Sequence, residues 1–176
     1  MGSRFLGGLA GAMLALVATS GLAQQSSENQ VAAKTDWSVF EEKEPRECWA
    51  VTTFKESVNT RDGRVVAVKR SDILFMVFYR PEAGLKGQVT FTGGYPFAKG
   101  SMVNVDVDGN EFLLITDGEW AWPASEADDA KLITAMKRGS KAVLTAKSSR
   151  GTQTKDTFSL LGFTSAVEEA GKRCAK

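Results

Sequence analysis

Short runs of β-branched and aromatic residues, broken every few positions by Gly, Pro, Asn or Asp, leave this chain little choice but a β fold. The clearest run is Val103–Ile115. Val103, Val105 and Val107 alternate with Asn104, Asp106 and Asp108, so one face is apolar and the other wet, and Asp108-Gly109 supplies the two-residue turn of a hairpin. Further strands are expected at Trp37–Phe40, Cys48–Phe54, Val65–Lys69, Ile73–Tyr79, Gln88–Thr92, Ala142–Lys147 and Thr154–Leu160. Ile73–Tyr79 is apolar on both faces, which suits a central strand rather than an edge. So many short strands in one domain's length of chain predict a mostly β fold, a single-domain antiparallel β-sandwich.

Two helices interrupt this pattern. Ser125 is placed to cap the first, with acidic residues in the opening turn, an apolar stripe of Leu132, Ile133 and Met136, and Lys137 and Arg138 in the last turn. Gly139 is expected to end it in a left-handed conformation. The second runs from about Ser165 to Arg173, and the spacing of Phe163, Val167, Ala170 and Cys174 puts Cys174 on its buried face.

The N-terminus is an address rather than structure. Residues 1–23 carry one positive charge at Arg4, an apolar run from Phe5 to Val17, and a small-x-small end at Gly21-Leu22-Ala23. This is the layout of a secretory signal peptide cleaved after Ala23. The apolar run, about 13 residues, is too short to span a bilayer, which needs roughly 20. A polar leader is expected over 24–36, and a single domain over 37–176. No spanning segment follows, so the mature chain is expected in a periplasm or outside the cell.

Cys48 and Cys174 are the two cysteines. In an oxidising compartment such a pair forms one disulfide, here joining the start of the domain to its last helix. With no CxxC spacing and no histidine beside them, a metal or redox site is a poor alternative.

Composition narrows function chiefly by exclusion. There are 22 Lys+Arg against 21 Asp+Glu, without the basic excess of a nucleic-acid binder. The chain has no histidine, which removes the Ser-His-Asp and Cys-His triads and nearly every zinc enzyme site. Asn104–Asn110 superficially resembles a calcium loop, but the twelfth position is Ile115, which cannot ligate. Neither a cofactor nor a metal is expected. Carboxylate pairs are the remaining catalytic option: Asp106 with Asp108, Asp128 with Asp129, Asp117 with Glu119. Hairpin and helix-terminal roles already account for the first two pairs. The Ser148-Ser149-Arg150-Gly151 loop joins two strands, and Arg150 is expected to pair with Asp156 across that hairpin and fix its register.

Binding is the better expectation. Trp120 and Trp122 share one face of an extended segment, and the Gly93-Gly94-Tyr95-Pro96-Phe97 loop could present Tyr95 and Phe97. These four aromatics are the candidate partner-binding residues, set against the alternative that they fill the core.

The C-terminal third carries a more specific string: Asp129 to Gly139, then Ser149-Arg-Gly-Thr152, then Thr154-Lys-Asp-Thr-Phe-Ser-Leu-Leu-Gly-Phe163 and a short helix ending in Cys174. Together with Trp37-Ser-Val, Cys48, the Asp108-Gly109 hairpin and Ala121-Trp122, this resembles the invasion-associated locus B family of exported Gram-negative bacterial proteins. The resemblance spans about Trp37 to Cys174. It implies an exported, non-enzymatic envelope or extracellular protein whose partner is a protein or an envelope polymer, and a name that points to host-cell invasion. The rivals are a carboxylate-dependent hydrolase of envelope polymer and a structural accessory with no discrete site.

Overall fold

A computed structural model describes residues 29–175. The signal peptide expected at 1–23 lies outside the described residues. In chain order the elements are β1 (Gln30–Lys34), β2 (Trp37–Lys43), β3 (Arg46–Thr53), β4 (Glu56–Arg61), β5 (Arg64–Val65), β6 (Leu74–Arg80), β7 (Leu85–Thr92), β8 (Met102–Val107), β9 (Asn110–Asp117), β10 (Trp120–Trp122), α1 (Glu126–Arg138), β11 (Lys141–Lys147), β12 (Gln153–Ser159) and α2 (Phe163–Cys174). The described strands form one antiparallel sheet in the order β1-β2-β3-β6-β7-β10-β9-β8-β11-β12-β4-β5. The fold is mostly antiparallel β with two helices, as expected.

The two layers of the sandwich are this single sheet curled over on itself. Phe158 of β12 lies 5.4 Å from Phe75 of β6 and 6.0 Å, edge-on, from Phe91 of β7, although β12 stands several strands away along the sheet. The inner face is filled by alternate residues: Val103, Val105 and Val107 from β8, Phe75 and Val77 from β6, Leu144 from β11. The β8–β9 hairpin turns at Asp108 and Gly109, both with positive φ, as the Asp-Gly pair predicts. β6 is central, between β3 and β7.

Where the facing layer ends, α2 completes the core. Phe163, Ala166, Val167, Ala170 and Cys174 are buried on its inner side, and Trp37 meets Phe163 edge-on at 4.9 Å. The Cys48–Cys174 disulfide joins β3 to the last turn of this helix, closing a separation of 126 residues. The helix begins at Phe163, earlier than expected, because the Trp37 indole donates to the Ser159 carbonyl and the Asp36 amide to Leu161, drawing the two chain segments together. Gly162 sits at that junction with φ +90°, and a Cβ there would stand 1.8 Å from the Lys34 carbonyl oxygen. Only glycine fits.

The sequence expectations need adjustment at several elements. The leader expected over 24–36 gives way at Gln30 to β1, which pairs with β2. β4 falls in a stretch where no strand was expected. The strand expected at Val65–Lys69 ends at Val65. Gly139 is extended (φ −85°, ψ 165°) rather than left-handed; it is required for space, since a Cβ would lie 2.6 Å from Val107 Cγ1.

Helix α1 solves an edge problem. β10 covers β7 only at Phe91 and Thr92, so the earlier part of β7 has no strand on that side. There Asp129 Oδ1 accepts the Val89 amide at 2.7 Å. Asp129 is 7% exposed, and burial, with Asp128 and Glu126 adding to it, pushes its carboxyl up to about 6 against the lowering effect of the Val89 hydrogen bond.

Two predictions follow from this packing. Cys48→Ser or Cys174→Ser, or reduction of the native protein, lowers stability in denaturant unfolding by ~4–5 kcal/mol on chain-entropy grounds; equal stability with and without reductant would contradict the staple. Folded Asp129 keeps its proton to about 6 whereas the unfolded chain releases it near 3.8, so the folded state binds more protons in that window. Stability from this group is therefore full at acid pH and lost as pH rises through about 6. Asp129→Asn keeps an acceptor for Val89 and flattens this slope, stabilising the protein above neutrality by up to about 3 kcal/mol; an unchanged slope in pH-dependent unfolding would contradict it.

Candidate functional site

At one end of the curled sheet the inner face changes character. Along β12 it runs from Phe158 through Asp156 to Thr154, and along the neighbouring β4 it presents Ser57, Asn59 and Arg61. A buried charge explains this. Arg70 enters from the irregular segment after β5 and forms a two-pronged ion pair with Asp156: Nη1 donates to Oδ1 at 2.7 Å and Nη2 to Oδ2 at 2.6 Å. Their side chains are 6% and 0% exposed. Arg70 Nη1 also reaches Ser57 Oγ (3.0 Å) and Asn59 Oδ1 (3.2 Å), and Nε donates to the Gly93 carbonyl (2.7 Å). A charge taken out of water demands this many partners. They also explain why the strand expected through Lys69 stops: the backbone leaves the sheet edge so that Arg70 can reach inward.

The pocket opens above this pair. It has a volume of about 490 Å³ and is walled by Arg61 of β4, the Ala67–Arg70 segment, the Gly94–Pro96 loop, Glu119, and the Ser148–Arg150 loop with Thr152 and Thr154. Its floor is tightly made. The Ser71 amide donates to the Gly94 carbonyl at 3.1 Å, and Gly94 has φ +72°, with Ser71 backbone atoms 2.6 Å from where a Cβ would be. Tyr95 lies under the Arg70 guanidinium, 5.0 Å from ring centroid to Cζ, and its hydroxyl bonds with Thr154 Oγ1. Burial raises its phenol above the usual range, so it stays protonated at neutral pH. Arg61 Nη2 donates to Thr152 Oγ1 at 2.7 Å. Among the described residues, no carboxylate forms an ion pair with Arg61, Lys69 or Arg150, and Glu119 is the lone carboxylate of the lining.

The sequence-derived candidates separate here. Tyr95 is half-buried and lines the pocket, engaged through its hydroxyl. Phe97 is 7% exposed and packs on Phe91 at 6.0 Å, so it is a core residue and not a presented one: its amide is held by the Gly118 carbonyl, which turns the ring inward. Trp120 is 45% exposed and Trp122 half-buried, both on the outer face of the sheet. Phe40, Trp49 and Phe78 stand in register on the outer face of β2, β3 and β6, ring to ring. The Arg150–Asp156 pair expected across the β11–β12 hairpin is not formed. Asp156 sits opposite Leu144 in that ladder and belongs to Arg70, while Arg150 is exposed at the pocket rim.

The carboxylate pairs resolve into local structure. Asp106 accepts the Gly109 amide, and Asp108 the Ser140 amide and hydroxyl, which hold its carboxyl below the usual range. Asp128 accepts from Lys131 and from the Ser125 hydroxyl, and its own amide is capped by that hydroxyl. Asp129 shares a small cleft of about 140 Å³ with Glu126, under α1. Among the described residues no cluster of three or more Cys, Asp or Glu is placed to hold a metal ion.

The buried pair makes a clear prediction. Asp156→Ala strands the Arg70 charge in the core and destabilises the protein by about 3–5 kcal/mol, whereas Arg70→Met with Asp156→Leu together costs less than the single change. Denaturant unfolding of both variants decides it; a double variant worse than the single would contradict the argument.

Comparison with known proteins places this architecture. No curated protein matches the chain. Among solved structures, the crystal structure of invasion associated protein B from Bartonella henselae is similar, at 15% identity and a TM-score of 0.55, covering 82% of this chain and 98% of that one. At that identity the likeness concerns the fold. A model of the family described as invasion associated locus B (IalB) protein matches residues 37–171, the span that holds the disulfide-bearing β3, the buried ion pair and the pocket. This chain belongs to the invasion associated locus B family.

Proposed function

We propose that this protein is exported, loses residues 1–23 after Ala23, and works in the periplasm or outside the cell by binding a partner without catalysis. The observation that carries the reading is the pocket. Its polar side chains are locked by one another: Arg70 by Asp156, Tyr95 by Thr154, Arg61 by Thr152. Side chains already held in place by such bonds lose little entropy on binding. Its single carboxylate, Glu119, supplies half of what two-carboxylate hydrolysis needs. No helix among the described residues is long and apolar enough to cross a membrane, which is compatible with a mature chain free of helical anchors.

The partner is a protein or an envelope polymer. The family's name makes a host-cell surface a candidate alongside the cell's own envelope. Tyr95 contributes from within the pocket, and Trp120, which follows Glu119 in the chain, adds an exposed indole. A structural accessory with no discrete site is the competing reading.

Photo-crosslinking residues at Glu119 and Ser149, both exposed in the lining, are compared in the exporting cell with one at Lys155, exposed on the opposite face of β12. A dominant adduct at the first two and none at Lys155 is the expected result. Equal labelling at all three positions, or none at the pocket, would overturn it.

A further inference from the structure

Building on the reading of this pocket as a binding site, we infer that its ligand is an acidic saccharide, a sugar unit bearing a carboxylate or phosphate. Three features carry this. The first is charge. Arg70 is neutralised by Asp156, but Arg61, Lys69 and Arg150 face the same pocket without a carboxylate partner among the described residues, against Glu119 alone. Elsewhere exposed Lys55 is paired with Asp36 at 2.7 Å, and half-buried Arg80 and Arg173 with Glu47 and Glu41 at 2.9 Å, while scattered lysines such as Lys141 and Lys155 form no ion pair among the described residues; what sets the pocket apart is that three such cations line one cavity. Lys69 and Arg150 come from different segments, one before β6 and one between β11 and β12, so no single helix or strand surface accounts for their meeting. An anion between them gains charge-assisted hydrogen bonds from both walls.

The second feature is the rest of the lining. Ser149 presents an exposed hydroxyl, the hydroxyls of Ser148, Thr152, Thr154 and Tyr95 lie deeper with one hydrogen bond each already made inside the protein, and Ala67, Val68 and Pro96 give a small apolar wall. A molecule with many hydroxyls and a few C–H faces matches this mixture better than a purely apolar ligand or a bare inorganic ion. The third is size. About 490 Å³ is at the low end of small-molecule sites and suits one or two sugar units.

The test uses the mature, disulfide-bonded protein and four probes: a short uronic acid oligosaccharide, a hexose phosphate, a neutral oligosaccharide of matched length, and inorganic phosphate. Titration calorimetry measures affinity, and backbone amide shifts at Gly94, Glu119 and Ser149 locate the site. Saturable binding of the uronate or the hexose phosphate is expected, with shifts at those amides. The combined Lys69→Gln and Arg150→Gln variant should weaken it on the order of tenfold or more. Lys141→Gln with Lys155→Gln, outside the pocket, should leave it unchanged. Binding by the uronate alone assigns a carboxylate, and by the hexose phosphate alone a phosphate; either supports the inference. Inorganic phosphate binding as tightly as the hexose phosphate would overturn the saccharide part. A neutral oligosaccharide that binds as tightly as the acidic ones and shifts the pocket amides would overturn the acidic ligand and leave the pocket-binding reading standing. Binding undiminished in the Lys69 and Arg150 variant, or no binding by any probe, overturns the inference. Shifts confined to other surfaces would overturn the inference and the pocket reading together.

Discussion

A guanidinium and a carboxylate locked together at the end of the core shape one whole end of this protein. Arg70 and Asp156 are almost wholly removed from water, and every neighbour within reach is recruited to solvate them: Ser57 and Asn59 from β4, the Gly93 carbonyl, and the Tyr95 ring. The cost of desolvating two charges is what makes that end of the sheet polar. A polar interior that cannot close over itself as an aliphatic one does leaves an opening, and the pocket is that opening. The apolar end is stapled by Cys48–Cys174 and covered by the buried face of α2.

Elements governed by apolar alternation were legible in the sequence. The valines of β8, the Asp-Gly turn, the two-faced apolar run of β6 and the Ser125 cap each state their geometry locally. β4 does not, because its inward residues are Ser57, Asn59 and Arg61, chosen to meet a charge rather than to fill a core. Nothing in residues 56–61 announces that an arginine from residue 70 will lie against them. The same pair explains the misplaced strand after Val65 and the misassigned partner of Asp156. Charge complementarity over such separations has no periodicity to detect, so Arg150, nearer in sequence, was the natural but wrong partner.

The aromatics show the limit from the other side. Gly93-Gly-Tyr-Pro-Phe has the composition of a loop, and it is one, yet its backbone bonds turn Phe97 into the core and Tyr95 onto Arg70. Composition located the segment correctly and said nothing about where its rings point. Trp120 and Trp122 do share a face, as alternation requires, and that face is the outer one. The pocket draws its lining from several segments spread between Arg61 and Thr154, so it could be assembled only from the fold.

The strand order has a temporal meaning. β4 follows β3 directly in the chain, but it pairs with β12, at the other end of the sheet. While the polypeptide is being made, the short β4–β5 hairpin therefore has only its own two strands to pair and no place in the sheet until β12 has emerged. Such distant pairings close late, since the loop between them must be ordered first. The pocket wall built on β4 is accordingly among the last parts to form, and a chain that stops short of β12 lacks the strand that holds it. Arrival of β12 and formation of the pocket become the same event.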